Sequence, residues 1–154
     1  MTLIVAWCAG SVHVSLTFPP LAFSRFRFPT LIDAFCDEQD LARALVLCAA
    51  EPLTFKCNSG LHLAVRHRDL ETGFEHHGYL NLALAARAAG ATGNVAAVAA
   101  ILRVRRAEEL VQQIIDLTAV DAKAVRSVLG SVSTSNVIES VNDLVDLRLV
   151  TRAR

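Results

Sequence analysis

The sequence carries no net charge. Lys+Arg and Asp+Glu number 15 each. A nucleic-acid-binding protein needs a basic face, and this balance argues against one. No charged residue occurs before Arg25, yet no apolar run there reaches the roughly 20 residues a membrane span requires. His13, Pro19 and Pro20 interrupt it, and Met1-Thr2 lacks the basic start of a signal peptide. The sequence thus argues against membrane association. The four cysteines, Cys8, Cys36, Cys48 and Cys57, form no CxxC pair and match no common zinc spacing. Cys36, Cys48 and Cys57 stand in apolar surroundings, as buried free thiols do. A reducing cytoplasm is the expected compartment. There is no internal repeat.

What is present is a chain able to fold. Its 154 residues are the length of one ordinary domain, and 53% of them are hydrophobic. A mean hydropathy of +0.42 excludes intrinsic disorder. Arg outnumbers Lys 13 to 2 and Ala occurs 24 times, a skew that reports on base composition more than on function.

Leu3–Trp7 and Val12–Phe18 read as two short strands joined by a turn at Cys8–Ser11. Phe23, Phe26 and Phe28 alternate with Arg25 and Arg27 in an edge strand or an extended linker. Asp37 is a helix N-cap, with Leu41, Leu45 and Cys48 forming an apolar stripe until Glu51-Pro52. Leu53–Cys57 reads as a strand. Gly78 to about Ala89 is an almost wholly apolar helix closed by Gly90, and Asn94 caps the next one, through Leu102. Leu110, Val111, Ile114 and Ile115 form a further stripe. Val125–Leu129 is ambiguous between helix and strand, and Gly130-Ser131 and Ser133–Ser135 look like loops. Asn136 and Glu139 make a capping-box pattern for a last helix.

The segment 58–77 carries four of the five histidines. Loops this long within compact domains are uncommon and often functional. It follows the C-terminal end of a strand, where ligands bind in α/β barrels and open α/β sheets. Lys56 lies at the strand's mouth, on the face opposite Phe55 and Cys57. It can hold an anion or act as a base. The plain alternative is a lysine that reaches water, although in a barrel its face is the interior, where an unpaired lysine is costly. His62, His67 and His76 are candidate proton-transfer groups, and Arg66 a candidate carboxylate or phosphate ligand. Their plain reading is a solvated loop with local ion pairs. Anion binding by Lys56, His62, Arg66 and a turn at Gly60 is one option. A metal held by His62, His67 and His76 or His77 is another, but the spacing matches no metal motif, and no metal site is assigned. Asn81, on an apolar helix, needs a partner if buried; it would orient a histidine, help bind the ligand, or cap the loop backbone. Cys57 shares Phe55's face, which favours a packed thiol over a nucleophile. The sequence names no cofactor.

The run Leu53-Thr54-Phe55-Lys56-Cys57, with Gly60-Leu61-His62, Val65-Arg66-His67, Phe74-Glu75-His76-His77-Gly78 and Leu80-Asn81, resembles the C-terminal part of a group of longer conserved bacterial proteins. The similarity extends from about Phe28 to Val150 and is specific mainly in this pattern. It implies an α/β-barrel-like architecture with no assigned reaction. Leu63 departs from the group, which has histidine there, Ser131–Ser140 diverges, and the first 27 residues do not match. The resemblance therefore implies a truncated or rearranged relative. The expectation is a divergent segment 1–27 followed by an α/β domain, 28–154. This would be a helix-rich, incomplete barrel-like or open-sheet domain with few strands, acting on a small anionic ligand through Lys56, His62, Arg66, His67, His76 and Asn81. The rival expectation is a non-catalytic helical module that associates with itself or a partner through exposed sheet edges and apolar helix faces.

Overall fold

The computed structural model describes residues 2–8, 11–17, 37–51, 53–58, 61–134 and 136–151. The Phe23–Pro29 segment, Cys36, Gly60 and Ser135 lie outside them. Within them the chain is a helix-rich α/β structure: six helices, a four-stranded sheet and a two-stranded hairpin.

Strands β1 (Thr2–Cys8) and β2 (Ser11–Thr17) pair antiparallel, where the alternation predicts extended chain. Strand β3 (Thr54–Asn58) lies parallel to β1 on one side and to β6 (Leu129–Ser133) on the other. The order β2-β1-β3-β6 is that of an open sheet among the described residues. Gly130-Ser131 is thus strand and not loop. Its polar residues hide a segment that β3 recruits by main-chain pairing, with a register irregularity between Phe55 and Lys56.

Helix α1 (Glu38–Ala50) begins where Asp37 accepts a hydrogen bond from the Asp40 N–H at 2.8 Å. Its Leu41, Leu45 and Cys48 pack on Phe55 and Cys57, both essentially inaccessible. Helices α2 (Tyr79–Thr92) and α3 (Val95–Arg103) complete this core with Leu82, Ala85, Ala86, Ala89, Val98 and Leu102. Small alanines let these helices approach closely, as the alanine-rich run from Ala83 to Ala100 suggests. Gly90 does not end α2. Its Cα faces Val128, and the helix continues to Gly93, whose φ of 60° supplies the left-handed cap.

Helices α4 (Ala107–Ile115), α5 (Ala119–Val128) and α6 (Val137–Asp146) follow. A second cluster gathers Ala64, Leu80, Leu84 and Leu110, with Leu144, Leu147 and Leu149 packed against it. Val125–Val128 is helical, and the strand starts only at Leu129. The ambiguous run therefore contains a boundary.

The 58–77 segment is not a plain loop. It folds into a hairpin, β4 (His67–Arg68) and β5 (Glu75–His76). Its approach chain, residues 63–64, accepts hydrogen bonds from the first N–H groups of α2: Tyr79 to the Leu63 oxygen and Leu80 to the Ala64 oxygen. Backbone lies directly on backbone there. A Cβ at Gly78 would overlap the Ala64 carbonyl and the Val65 main chain, so glycine is required.

Candidate functional site

The hairpin and the start of α6 enclose a cleft of about 650 Å³. His62, His67 and His76 line it, with Arg68 and Glu139 among its polar walls. His67 and His76 are direct cross-strand partners. Their rings stack at 5.4 Å between centroids, with planes 14° apart. His67 Nδ1 lies 3.2 Å from the Val65 carbonyl oxygen. A carbonyl only accepts, so the proton is on Nδ1, and a neutral His67 ring keeps its lone pair on Nε2.

The hairpin turn is held by Asp69. Its carboxylate accepts from the N–H groups of Glu71 and Thr72 and from the Thr72 hydroxyl, at 2.7–3.0 Å. Those bonds, the Thr72 N–H first, hold its carboxyl below the usual range. Arg68 Nε donates to the Gly73 oxygen at 2.9 Å, and Gly73 takes the positive φ the turn requires. The scaffold under the two stacked rings is thereby fixed.

Helix α6 is tied to the opposite wall by polar bonds. The Tyr79 hydroxyl donates to the Ser140 oxygen and the Ser140 hydroxyl donates to the His62 oxygen, each at 2.9 Å. The Ala64 N–H donates to Asp143 Oδ2. Asn136 caps α6 by accepting from the Glu139 N–H at 3.1 Å, and both residues border the cleft. Neither Asp143 nor Ser140 carries a local sequence signal, because both act on residues almost 80 positions earlier.

Lys56, Arg66 and Asn81 stand apart from this cleft. Lys56 is half-buried on the face of β3 opposite the helical core, between Ile4 and Ser131 in register. Arg66, only 9% exposed, pairs with Glu38 at 2.5 Å and Glu75 at 3.4 Å. Arg105 meets the same Glu75 at 2.5 Å. The Arg105 hydrogen bond, then the charges of Arg105, Arg66 and Arg68, hold the Glu75 carboxyl below its ordinary range. Arg66 also donates to His77 Nδ1 at 3.2 Å, because a guanidinium has only donors. His77 is buried and does not line the cleft. Glu38, Glu75 and Arg105 lie far from Arg66 in sequence or beyond any pattern linking them to it. The Asn81 amide is fully buried. Its oxygen accepts from the Arg66 N–H, and its nitrogen donates to the oxygens of Ile101 and Val104, all within 2.9 Å. It joins the loop backbone to the end of α3, the structural option of those expected for it.

Burial pushes the Cys57 thiol up to about 12 and the Cys48 thiol to about 11. Both stay protonated at neutral pH, as packed thiols do. Among the described residues no three or more His, Cys, Asp and Glu side chains are arranged to hold a metal ion, and no helix is long and apolar enough to cross a membrane. No protein-family model matches this chain, and neither the curated proteins nor the solved structures contain a significant match to it.

Proposed function

We propose that the chain binds a small anionic molecule in the cleft between the hairpin and α6, with His62, His67 and His76 as its contact groups. One observation carries this reading: three of the five histidines converge on a single cavity. Its volume lies within the roughly 300–1,000 Å³ typical of small-molecule sites. Imidazole N–H groups donate to carboxylate or phosphate oxygens, His67 doing so through Nε2 only when its ring is protonated, since Nδ1–H is given to Val65. The same rings can pass a proton when a reaction follows. Asp69 opposes an anion less than its charge suggests, because three donors already surround its carboxylate.

Kinship with longer barrel-like proteins is part of the proposal. Besides the residue pattern around Lys56 and His62, it is supported by β3, which has a parallel neighbour on each side. In that relationship the Lys56 face would be the barrel interior. A cytoplasmic location fits the free, buried thiols of Cys48 and Cys57.

The test is a titration of chelator-treated protein with inorganic phosphate and with small dicarboxylates, read by imidazole NMR signals. Loss of one charge-assisted hydrogen bond costs about 1.5–3 kcal/mol, roughly tenfold or more in affinity. His62→Asn, His67→Asn and His76→Asn should each weaken binding by about that factor and leave the melting temperature nearly unchanged. Anions that move none of the three ring signals refute the reading.

The exposed face of α6 favours a second reading, self-association. Val137 is 63% and Ile138 75% exposed, with Val141 beside them. Light scattering that returns a monomer at all concentrations removes it.

A further inference from the structure

The cleft poses an electrostatic problem. Asp69, Glu71 and Glu139 set three carboxylates around it against the single guanidinium of Arg68. With neutral imidazoles the wall is net negative, and a bound cation would offset that charge for an anion entering the same cleft. We infer that His67 and His76 form a two-histidine chelate for a late first-row divalent metal ion. The inference goes beyond the anion-binding reading and does not rest on it.

Three features of the pair support this. First, His67 and His76 face each other across an antiparallel ladder, so the main chain fixes their spacing. Two nitrogens bound to one ion at about 2.0–2.1 Å each stand no more than about 4 Å apart. The rings now stack with centroids 5.4 Å apart and planes 14° apart, so chelation requires His76 to turn toward His67 Nε2 while His67 keeps its bond to Val65. Second, the His67 Nδ1–H donates to the Val65 carbonyl. That is the outer-shell bond which sets the tautomer of a metal-ligating histidine and leaves Nε2 for the ion. Third, the hairpin is rigid beneath the pair, because Asp69, Thr72, Arg68 and Gly73 lock the turn. Imidazole selects Zn²⁺, Ni²⁺ and Cu²⁺ over Mg²⁺ and Ca²⁺, which take oxygen ligands. With two protein ligands the remaining positions belong to water or an exchangeable anion, so binding is reversible.

The experiment is a calorimetric titration of the full chain with Ni²⁺ alone, in buffer free of phosphate and carboxylate, with Mg²⁺ as control. The expected result is one equivalent of Ni²⁺ bound, no response to Mg²⁺, and at least tenfold weaker binding in both His67→Asn and His76→Asn. Val65 keeps its carbonyl in both variants, and circular dichroism confirms that they remain folded. A Co²⁺ titration supplies a second readout: an imidazole site shows no thiolate charge-transfer band. Absence of Ni²⁺ binding, affinity unchanged in both variants, or a thiolate band would each overturn the inference. Anion binding by chelator-treated protein is measured separately, so failure of the metal site and failure of the anion site are distinguishable.

Discussion

Asn81 shows how much one buried side chain can hold. Its amide satisfies the Arg66 N–H and two carbonyls at the end of α3. Each buried group left unpaired costs about 1–3 kcal/mol. Asn81→Ala should therefore lower stability by about 3–5 kcal/mol in urea melts. Asn81→Asp should be little better, since a carboxylate oxygen would face the Ile101 and Val104 oxygens with no proton to give. Gly78→Ala meets main chain on its free side, and overpacking of this kind costs about 1–3 kcal/mol or more. The two thiols predict an alkaline limit. Unfolded, they ionise near the ordinary thiol value of 9.0; folded, they hold their protons to about 11 and about 12. Their contribution is fully present below pH 9.0 and is lost as pH rises from there through those values. Urea-determined stability should thus fall between pH 9.0 and 11, and Cys57→Ala should flatten part of that fall. A slope unchanged in Cys57→Ala would contradict it.

Helix starts were the most legible elements. Asp37, Asn94 and Asn136 each cap the helix their position predicts, because capping is a contact over three residues. Asn94→Ala should cost about 1 kcal/mol in thermal melts. Helix α5 is barely legible, its last residues being ambiguous between helix and strand, although Thr118 and Asp121 form a full capping box. Its apolar stripe is thin and only Val128 is buried, so periodicity gave no cue. That box also fixes a titration. Hydrogen bonds from the Thr118 side chain, then Arg87, hold the Asp121 carboxyl near about 2. The stability linked to it is present above the ordinary carboxylate range and is lost as pH falls through about 2. Thr118→Ala should move the Asp121 midpoint upward in NMR titration. Strand β6 is illegible for a different reason: Gly130 and Ser131 have no strand pattern, and only long-range pairing with β3 makes them extended. The hairpin inside 58–77 was invisible because its strands are two residues each, too short for any alternation.

In the molecule as a whole, the histidine cleft was half legible. Histidine density in one segment marked His62, His67 and His76, and the structure brings these three together. The pattern also grouped Lys56, Arg66 and Asn81 with them, on sequence proximity alone. Sheet pleat turns Lys56 to another face, while Glu38 from α1 and Glu75 from the facing strand of the hairpin engage Arg66. The α6 wall was unreadable, since its contacts span almost the whole second half of the chain. Helix α6 has no fully buried side chain, so its seat depends on Tyr79, Ser140 and Asp143 together with the half-buried Leu144, Leu147 and Leu149. Asp143→Ala should speed hydrogen exchange across 137–146 and shift the His62 signals, with a small change in melting temperature. The same arrangement has a consequence for assembly. All five histidines precede α6 in the chain, so the hairpin side of the receptacle can form first, and only the docking of α6 supplies its other side.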